Sequence, residues 1–254
     1  MSQSLTGKTA LVTGSTGGIG RATAQLLGER GARVVVTGLP GDADAGQETV
    51  EAIQKAGGQA DFISADLSRI PGARELAAEA GRLTGGLDIL VNNAGRFPLL
   101  GTGDTSEELF AEVYHVNVTA NFTLTRALVP HMVAQGAGVV INIGSFTAAK
   151  GIPGATAYTS SKAAVHQLTR IWAAEYGPAG VRVNAVVAGI IATEGVARAM
   201  AELGGKPGPN LGSAPAGRPG SAEEVASAVA FLASDDATYI NGAFLAVDGG
   251  ISVL

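Results

Sequence analysis

Short apolar, largely β-branched runs recur along the chain with longer amphipathic stretches between them, a rhythm that builds parallel strands joined by crossover helices. The runs that read as strands are Thr9–Thr13, Arg33–Thr37, Ala60–Ser64, Leu87–Asn92, Val139–Ile143, Arg182–Val187 and Ala243–Val247. Helices are expected near Ile19–Glu29, Gln47–Lys55, Pro71–Arg82, Glu107–Gln135, Tyr158–Tyr176 and Ala222–Ala233. Strands such as Val34-Val35-Val36 have no polar side, so helices must cover both faces of the sheet. The expectation is an α/β fold: one doubly wound parallel sheet of seven strands in a single domain over residues 1–254. Ligands then bind at the carboxyl ends of the strands.

Composition narrows the chemistry. A chain of 254 residues, 46% hydrophobic and 15% charged, can bury one large core and does not read as disordered. Zero cysteines exclude disulfides, thiolate metal sites and cysteine nucleophiles, and fit a reducing cytoplasm. His115, His131 and His166 have no metal-ligand spacing with acidic partners, so structural or surface roles and no metal are expected. A net charge of −5 without a dense Lys/Arg cluster argues against a nucleic-acid surface. The polar start Met1 to Lys8 does not read as a secretory leader, and no window approaches the roughly 20 apolar residues of a membrane span. A soluble, cytoplasmic protein acting on small molecules is the expectation.

The stretch Thr13-Gly14-Ser15-Thr16-Gly17-Gly18-Ile19-Gly20 follows the first strand and opens the first long helix. Glycine at 14 suits a tight turn, and glycines at 18 and 20 remove Cβ atoms where a pyrophosphate and a neighbouring strand approach. The helix amino terminus then offers free N–H groups and positive dipole to the phosphates. In this strand-turn-helix setting the motif points to a dinucleotide and a Rossmann-like fold.

The second strand should end in an acid that binds the adenosine ribose, or in an arginine that favours a 2′-phosphate. The sequence there reads Thr37-Gly38-Leu39-Pro40-Gly41-Asp42, with neither charge in place. Asp42 and Asp44 lie close enough to disfavour an extra phosphate, and Ser15, Thr16 and Gly17 supply no cation, so the balance favours NAD over NADP. As solvated turn residues they fit equally well. Asp66, before Leu67, either accepts from the adenine amino group or caps a helix. Asn92-Asn93-Ala94-Gly95, after a central strand, shapes the cofactor cleft.

Ser145 precedes Tyr158 by thirteen residues, and Lys162 follows that tyrosine by four. Four residues along a helix place phenol and ammonium on one face. A free tyrosine titrates near 10, too high for ready proton exchange, and a nearby ammonium lowers it. Ser145, just past the fifth strand, is placed to donate to a developing alkoxide. Phenol, ammonium and hydroxyl together suit proton transfer to a carbonyl while a nicotinamide delivers hydride.

In these motifs, with Asn117 and Val247-Asp248-Gly249-Gly250, the chain resembles the short-chain dehydrogenase/reductase family over nearly its full length. Gly217-Arg-Pro-Gly and Glu223-Glu-Val-Ala are similar to the 3-oxoacyl-carrier-protein reductase-like branch. The resemblance implies hydride transfer between NAD(P) and a secondary alcohol or ketone, with Asn117, Ser145, Tyr158 and Lys162 catalytic. It implies a relay water at Asn117 and a contact of Lys162 with the nicotinamide ribose. Cofactor contacts are expected from Gly14, Ser15, Thr16, Gly18, Ile19, Gly20, Gly38, Leu39, Asp66, Leu67, Asn93, Ala94, Gly95, Tyr158, Lys162, Gly189, Ile191 and Thr193. Ala188 stands where the family has proline, which loosens the loop after the sixth strand.

Phe97, Phe146, Ile152 and Ile190 are candidates for an apolar substrate pocket, and residues near 190–220 for a substrate flap, since Gly204 to Gly220 is rich in helix breakers. The family implies a homotetramer. Two alternatives stand beside the carbonyl or alcohol oxidoreductase: a 3-oxoacyl-thioester reductase, and a non-catalytic dinucleotide-binding regulatory protein.

Overall fold

The computed structural model describes residues 4–202 and 214–253. Seven strands form one wholly parallel sheet: β1 (Thr9–Val12), β2 (Arg33–Gly38), β3 (Gln59–Ser64), β4 (Ile89–Asn92), β5 (Gly138–Ser145), β6 (Val181–Ala188) and β7 (Phe244–Val247), in the order β3-β2-β1-β4-β5-β6-β7. Alternate residues of each central strand feed opposite faces. Val12, Val34, Val36, Val91 and Ile141 pack into one apolar cluster, while Leu11, Val35, Leu90 and Val140 pack into the other. Helices α1 (Gly18–Glu29), α2 (Ala43–Lys55) and α8 (Ala222–Ala233) cover the first face; α3 (Ile70–Thr84), α5 (Ala120–Gln135) and α6 (Thr156–Tyr176) cover the second. Each fully buried leucine or isoleucine in these clusters contributes about 1.5–3 kcal/mol. Trp172 of α6 is buried in the second cluster, as core rather than surface.

The expected helix Glu107–Gln135 is interrupted. It is α4 (Glu107–Tyr114), a π-helical turn (His115–Thr119), then α5. Ser106 caps α4, its Oγ accepting from Leu109 N–H, with Glu107 and Glu108 in the first turn. Other expectations shift at their ends. Helix α2 begins at Ala43 rather than Gln47, and β5 reaches Ser145 because its ladder with β6 continues to the pair Ser145 and Ala188. A short helix, α7 (Glu194–Glu202), stands where only a flap was expected. Most of Gly204 to Gly220 falls outside the described residues. The base of that segment is described: Ile191 bridges to Gly220, Ala192 N–H donates to Gly220 O, and Gly220 N–H donates to Ile190 O.

Strand order reverses between β1 and β4, and there a doubly wound sheet opens a crevice above the strand ends. No described helix is long and apolar enough to cross a membrane.

Candidate active site

Above β1 the chain turns at Gly14 (φ 62°), where an added Cβ would lie 3.0 Å from the Ala94 backbone. Thr13 Oγ1 accepts from the N–H groups of Asn93 and Ala94, both at 2.9 Å. Asn93 returns two bonds, its Nδ2 donating to Thr13 O at 2.8 Å and Gly14 O at 3.1 Å. Asn93 thus braces the turn instead of offering its amide to a ligand. Ser15 is likewise spent on the scaffold: buried, its Oγ donates to Val12 O and accepts from Thr37 N–H. The side chains of Leu67 and Ile191 lie in the core, and Ile19 packs against it, so only their backbone is left for a cofactor.

The remaining expected contacts rim the crevice. Gly20 has no room for a Cβ, which would fall 2.2 Å from Gly14 O, and one on Gly38 would fall 2.3 Å from Thr16. One on Gly189 would fall 2.6 Å from the Asp248 backbone, so that glycine serves close packing. Across the crevice the Thr193 methyl faces Gly18, and its Oγ1 accepts from Val196 N–H at 3.3 Å, capping α7. Asp66 accepts from the N–H and hydroxyl of Ser68, which hold its carboxyl below the usual range. Asp66 caps no helix, since α3 begins only at Ile70 without a side-chain cap, and one carboxylate oxygen is engaged in the local turn.

One carboxylate lies where its sequence position suggests, and one link was not legible beforehand. Asp42 Oδ2 accepts from Leu39 N–H at 3.4 Å, bringing a carboxylate to the end of β2. Arg21 donates twice to Thr16 O and pairs with Glu194 at 3.2 Å, linking the glycine turn to the start of α7. The Glu194 carboxyl is held low first by its own backbone N–H, with Arg21 and the N–H of Gly18 adding to this against desolvation.

Helix α6 delivers the proton-transfer groups. Buried polar bonds lock it to the sheet: Asn92 Nδ2 donates to Asn142 Oδ1, and Asn142 Nδ2 to Thr169 Oγ1, both at 2.9 Å. The Tyr158 side chain lies beside that of Ser145, and its ring meets Phe97 edge-on, centroids 6.0 Å apart. Ser145 Oγ lies 2.9 Å from Thr147 Oγ1. Lys162 is buried, its Nζ 5.8 Å from the Tyr158 ring centroid and donating to Ile143 O at 2.7 Å.

One electrostatic expectation is corrected. Burial pushes the Tyr158 phenol above its ordinary value, with the Ser145 bond pulling the other way. The Lys162 ammonium is held on a strand carbonyl and does not dominate that balance. Burial in turn pushes Lys162 down to about 8, so it remains largely protonated near neutrality.

Asn117 is fully buried in the π-helical turn. Its Oδ1 accepts from Arg96 N–H at 2.8 Å, and its Nδ2 donates to Arg96 O at 2.9 Å and Ser161 Oγ at 2.8 Å. Ser161 Oγ donates onward to Tyr158 O at 2.7 Å. The side chain therefore binds Arg96 to α6, and the backbone carbonyl of Asn117 accepts from Asn121 Nδ2. Among the pocket candidates, Phe97 and Ile152 are partly exposed, Ile190 packs against a small cluster, and Phe146 is buried within that cluster beside Val187 and Ile251. Phe146 thus packs the scaffold rather than lining an opening.

The chain matches the family described as Enoyl-(Acyl carrier protein) reductase over residues 14–252. It is 39% identical over 250 residues to an uncharacterized oxidoreductase of Thermotoga maritima, covering 96% of this chain and 97% of that one. A solved short chain dehydrogenase/reductase family protein superposes with a TM-score of 0.88 at 40% identity, covering all of both chains. A 7α-hydroxysteroid dehydrogenase complexed with NADH and 7-oxo glycochenodeoxycholic acid gives 0.88 at 34% identity, covering 98% of this chain and 96% of that one. Other solved relatives hold NADP. On sequence, fold and the arrangement of Ser145, Tyr158 and Lys162, the chain belongs to the short-chain dehydrogenase/reductase family.

Proposed function

We propose that this protein is an NAD(P)-dependent oxidoreductase that moves hydride reversibly between the dinucleotide and a secondary alcohol or its ketone. The observation that carries the reading is the grouping of the Tyr158 phenol with Ser145 and the buried Lys162, whose amine lies 5.8 Å from the phenol ring and beside Gly95. The crevice suits the cofactor. Helix α1 has no side-chain cap and no acid in its first turn, which leaves its amino terminus open to an anion. Gly14 and Gly18 would bring backbone against the pyrophosphate, Gly95 and Thr193 would flank the nicotinamide, and Asp66 would face the adenine. When bound, the dinucleotide supplies or accepts the hydride.

In the reductive direction Tyr158 passes its proton to the carbonyl oxygen, Ser145 donates a hydrogen bond to the same oxygen as charge develops, and Lys162 stabilises the phenolate left behind. In oxidation the phenolate takes the proton back. Asn117 fixes the Arg96 backbone against α6. Similarity to a 3-oxoacyl-(acyl-carrier-protein) reductase of Thermotoga maritima, 34% identical over 98% of this chain, supports a 3-oxoacyl thioester as a second substrate class. Following nicotinamide absorbance across ketones, alcohols and a 3-oxoacyl thioester tests both readings; no turnover with any of them, despite dinucleotide binding, would favour a regulatory protein.

NAD is the preferred form in this reading, because the Asp42 carboxylate at the end of β2 repels a 2′-phosphate. Wild-type protein should bind NADH at least about tenfold more tightly than NADPH, equivalent to ~1.4 kcal/mol. Asp42→Ser should narrow that gap. Fluorescence titration giving equal or tighter NADPH binding by the wild type would sink the assignment.

The assembly is a homotetramer in a cytoplasmic setting. Phe110, Phe122, Val133 and Ile171 leave apolar surface exposed on α4, α5 and α6, a face suited to a second copy.

A further inference from the structure

Behind Ser145 lies a ring that the scheme above does not use. His166 sits four residues beyond Lys162 on α6. Its imidazole rests against the backbone of Gly144, where an added Cβ would fall 2.3 Å from Nε2. The same Nε2 accepts from Ser145 N–H at 3.4 Å. The ring also packs on Phe244 of β7, centroids 4.8 Å apart, and the Arg170 guanidinium lies 4.5 Å from the centroid of that phenyl ring. Phe244 and Arg170 thus crowd the imidazole against the end of β5.

Only an unprotonated Nε2 accepts a hydrogen bond, which places the ring proton on Nδ1. Burial, then the nearby charges of Lys162 and Arg170, push the imidazole down to about 4, so it is neutral near pH 7. The contact is also specific in sequence terms: it requires glycine at 144 and an acceptor at 166, eight residues after Tyr158.

We infer that His166 is a positioning residue, which fixes the Ser145 hydroxyl relative to Tyr158 by holding the Ser145 backbone N–H from behind. The inference rests on the proposed role of Ser145. His166 touches neither substrate nor the reacting atoms, so its effect must pass through the serine.

His166→Phe keeps a ring against Phe244 and removes the acceptor. A single neutral hydrogen bond is worth roughly a three- to tenfold factor, so kcat should fall by about that much while dinucleotide affinity and substrate KM stay within about twofold. His166→Gln, whose amide oxygen can take the place of Nε2, should recover most of the loss, an outcome a purely packing role does not produce. In a Ser145→Ala background, His166→Phe should cost nothing further in kcat, because the two act as one unit. Should the phenylalanine protein fail to fold, His166→Leu serves in the same cycle.

Wild-type kcat in His166→Phe, equal slowness of folded His166→Gln and His166→Phe, or additive losses with Ser145→Ala would each overturn the inference. Full turnover in Ser145→Ala alone would overturn it together with the serine's role. That result is distinguishable, since failure of the inference alone leaves Ser145→Ala slow.

Discussion

Replacing Tyr158 by phenylalanine should lower kcat by roughly 10²- to 10⁴-fold, the span that a positioned general acid or base contributes. The substitution deletes one hydroxyl and leaves the ring, so the edge-on contact with Phe97 survives and the fold should be unaffected. Dinucleotide affinity, read by fluorescence titration, should stay near wild type because the glycine turn is untouched. Turnover retained in a folded Tyr158→Phe protein would remove the phenol from the reaction. The pH dependence carries a second signature. Burial raises the phenol, so the proton donor is loaded for ketone reduction at neutral pH, whereas alcohol oxidation requires its removal. Oxidation should therefore accelerate as the medium becomes alkaline, and reduction should slow. Opposite slopes, measured on one substrate pair in the wild type and absent in Tyr158→Phe, would tie the titration to this residue.

Asn117→Ala should destabilise the protein by about 3 kcal/mol, since it leaves the partly buried Arg96 N–H and carbonyl and the buried Ser161 hydroxyl without their partner. For a chain of this size that corresponds to a loss of ~10 °C in Tm. Turnover should fall as well, because Gly95 lies beside both Asn117 and Lys162 and loses its support. Calorimetry separates this bracing role from one confined to holding a relay water. A residue that only held water would lower kcat with Tm unchanged, and that outcome would overturn the bracing account.

Much of the scaffold was written in local pattern. Val34, Val35 and Val36 are apolar on both sides, and they lie between two helical layers for that reason. Ser145, Tyr158 and Lys162 likewise converge as spacing and strand ends require. What escaped the sequence was set by tertiary contacts. Glycine and serine in a phosphate-type turn look alike on paper, yet Ser15 faces inward because Thr37 of the adjacent strand offers it a partner. Phe146 was a reasonable wall for a pocket until Val187 and Ile251 enclosed it. Asp42 stands near the end of β2 as its position suggests, but it is the tight helical turn beginning at Pro40 that folds it back on Leu39. The lysine's pull on the phenol was overstated because spacing says nothing of the Ile143 carbonyl that captures its amine.

The wider turn at His115–Thr119 holds one residue more than a regular turn would, and each residue on a helix is worth about 100° of azimuth. Helix α5 consequently enters the core out of phase with α4. Removing one residue would let a regular turn close in its place and keep Leu124, Leu128 and Met132 facing the core, whereas drawing the present five residues into a regular helix would swing all three by about a quarter turn toward solvent. The wide turn is thus the device that lets the two helices share one path with an extra residue between them.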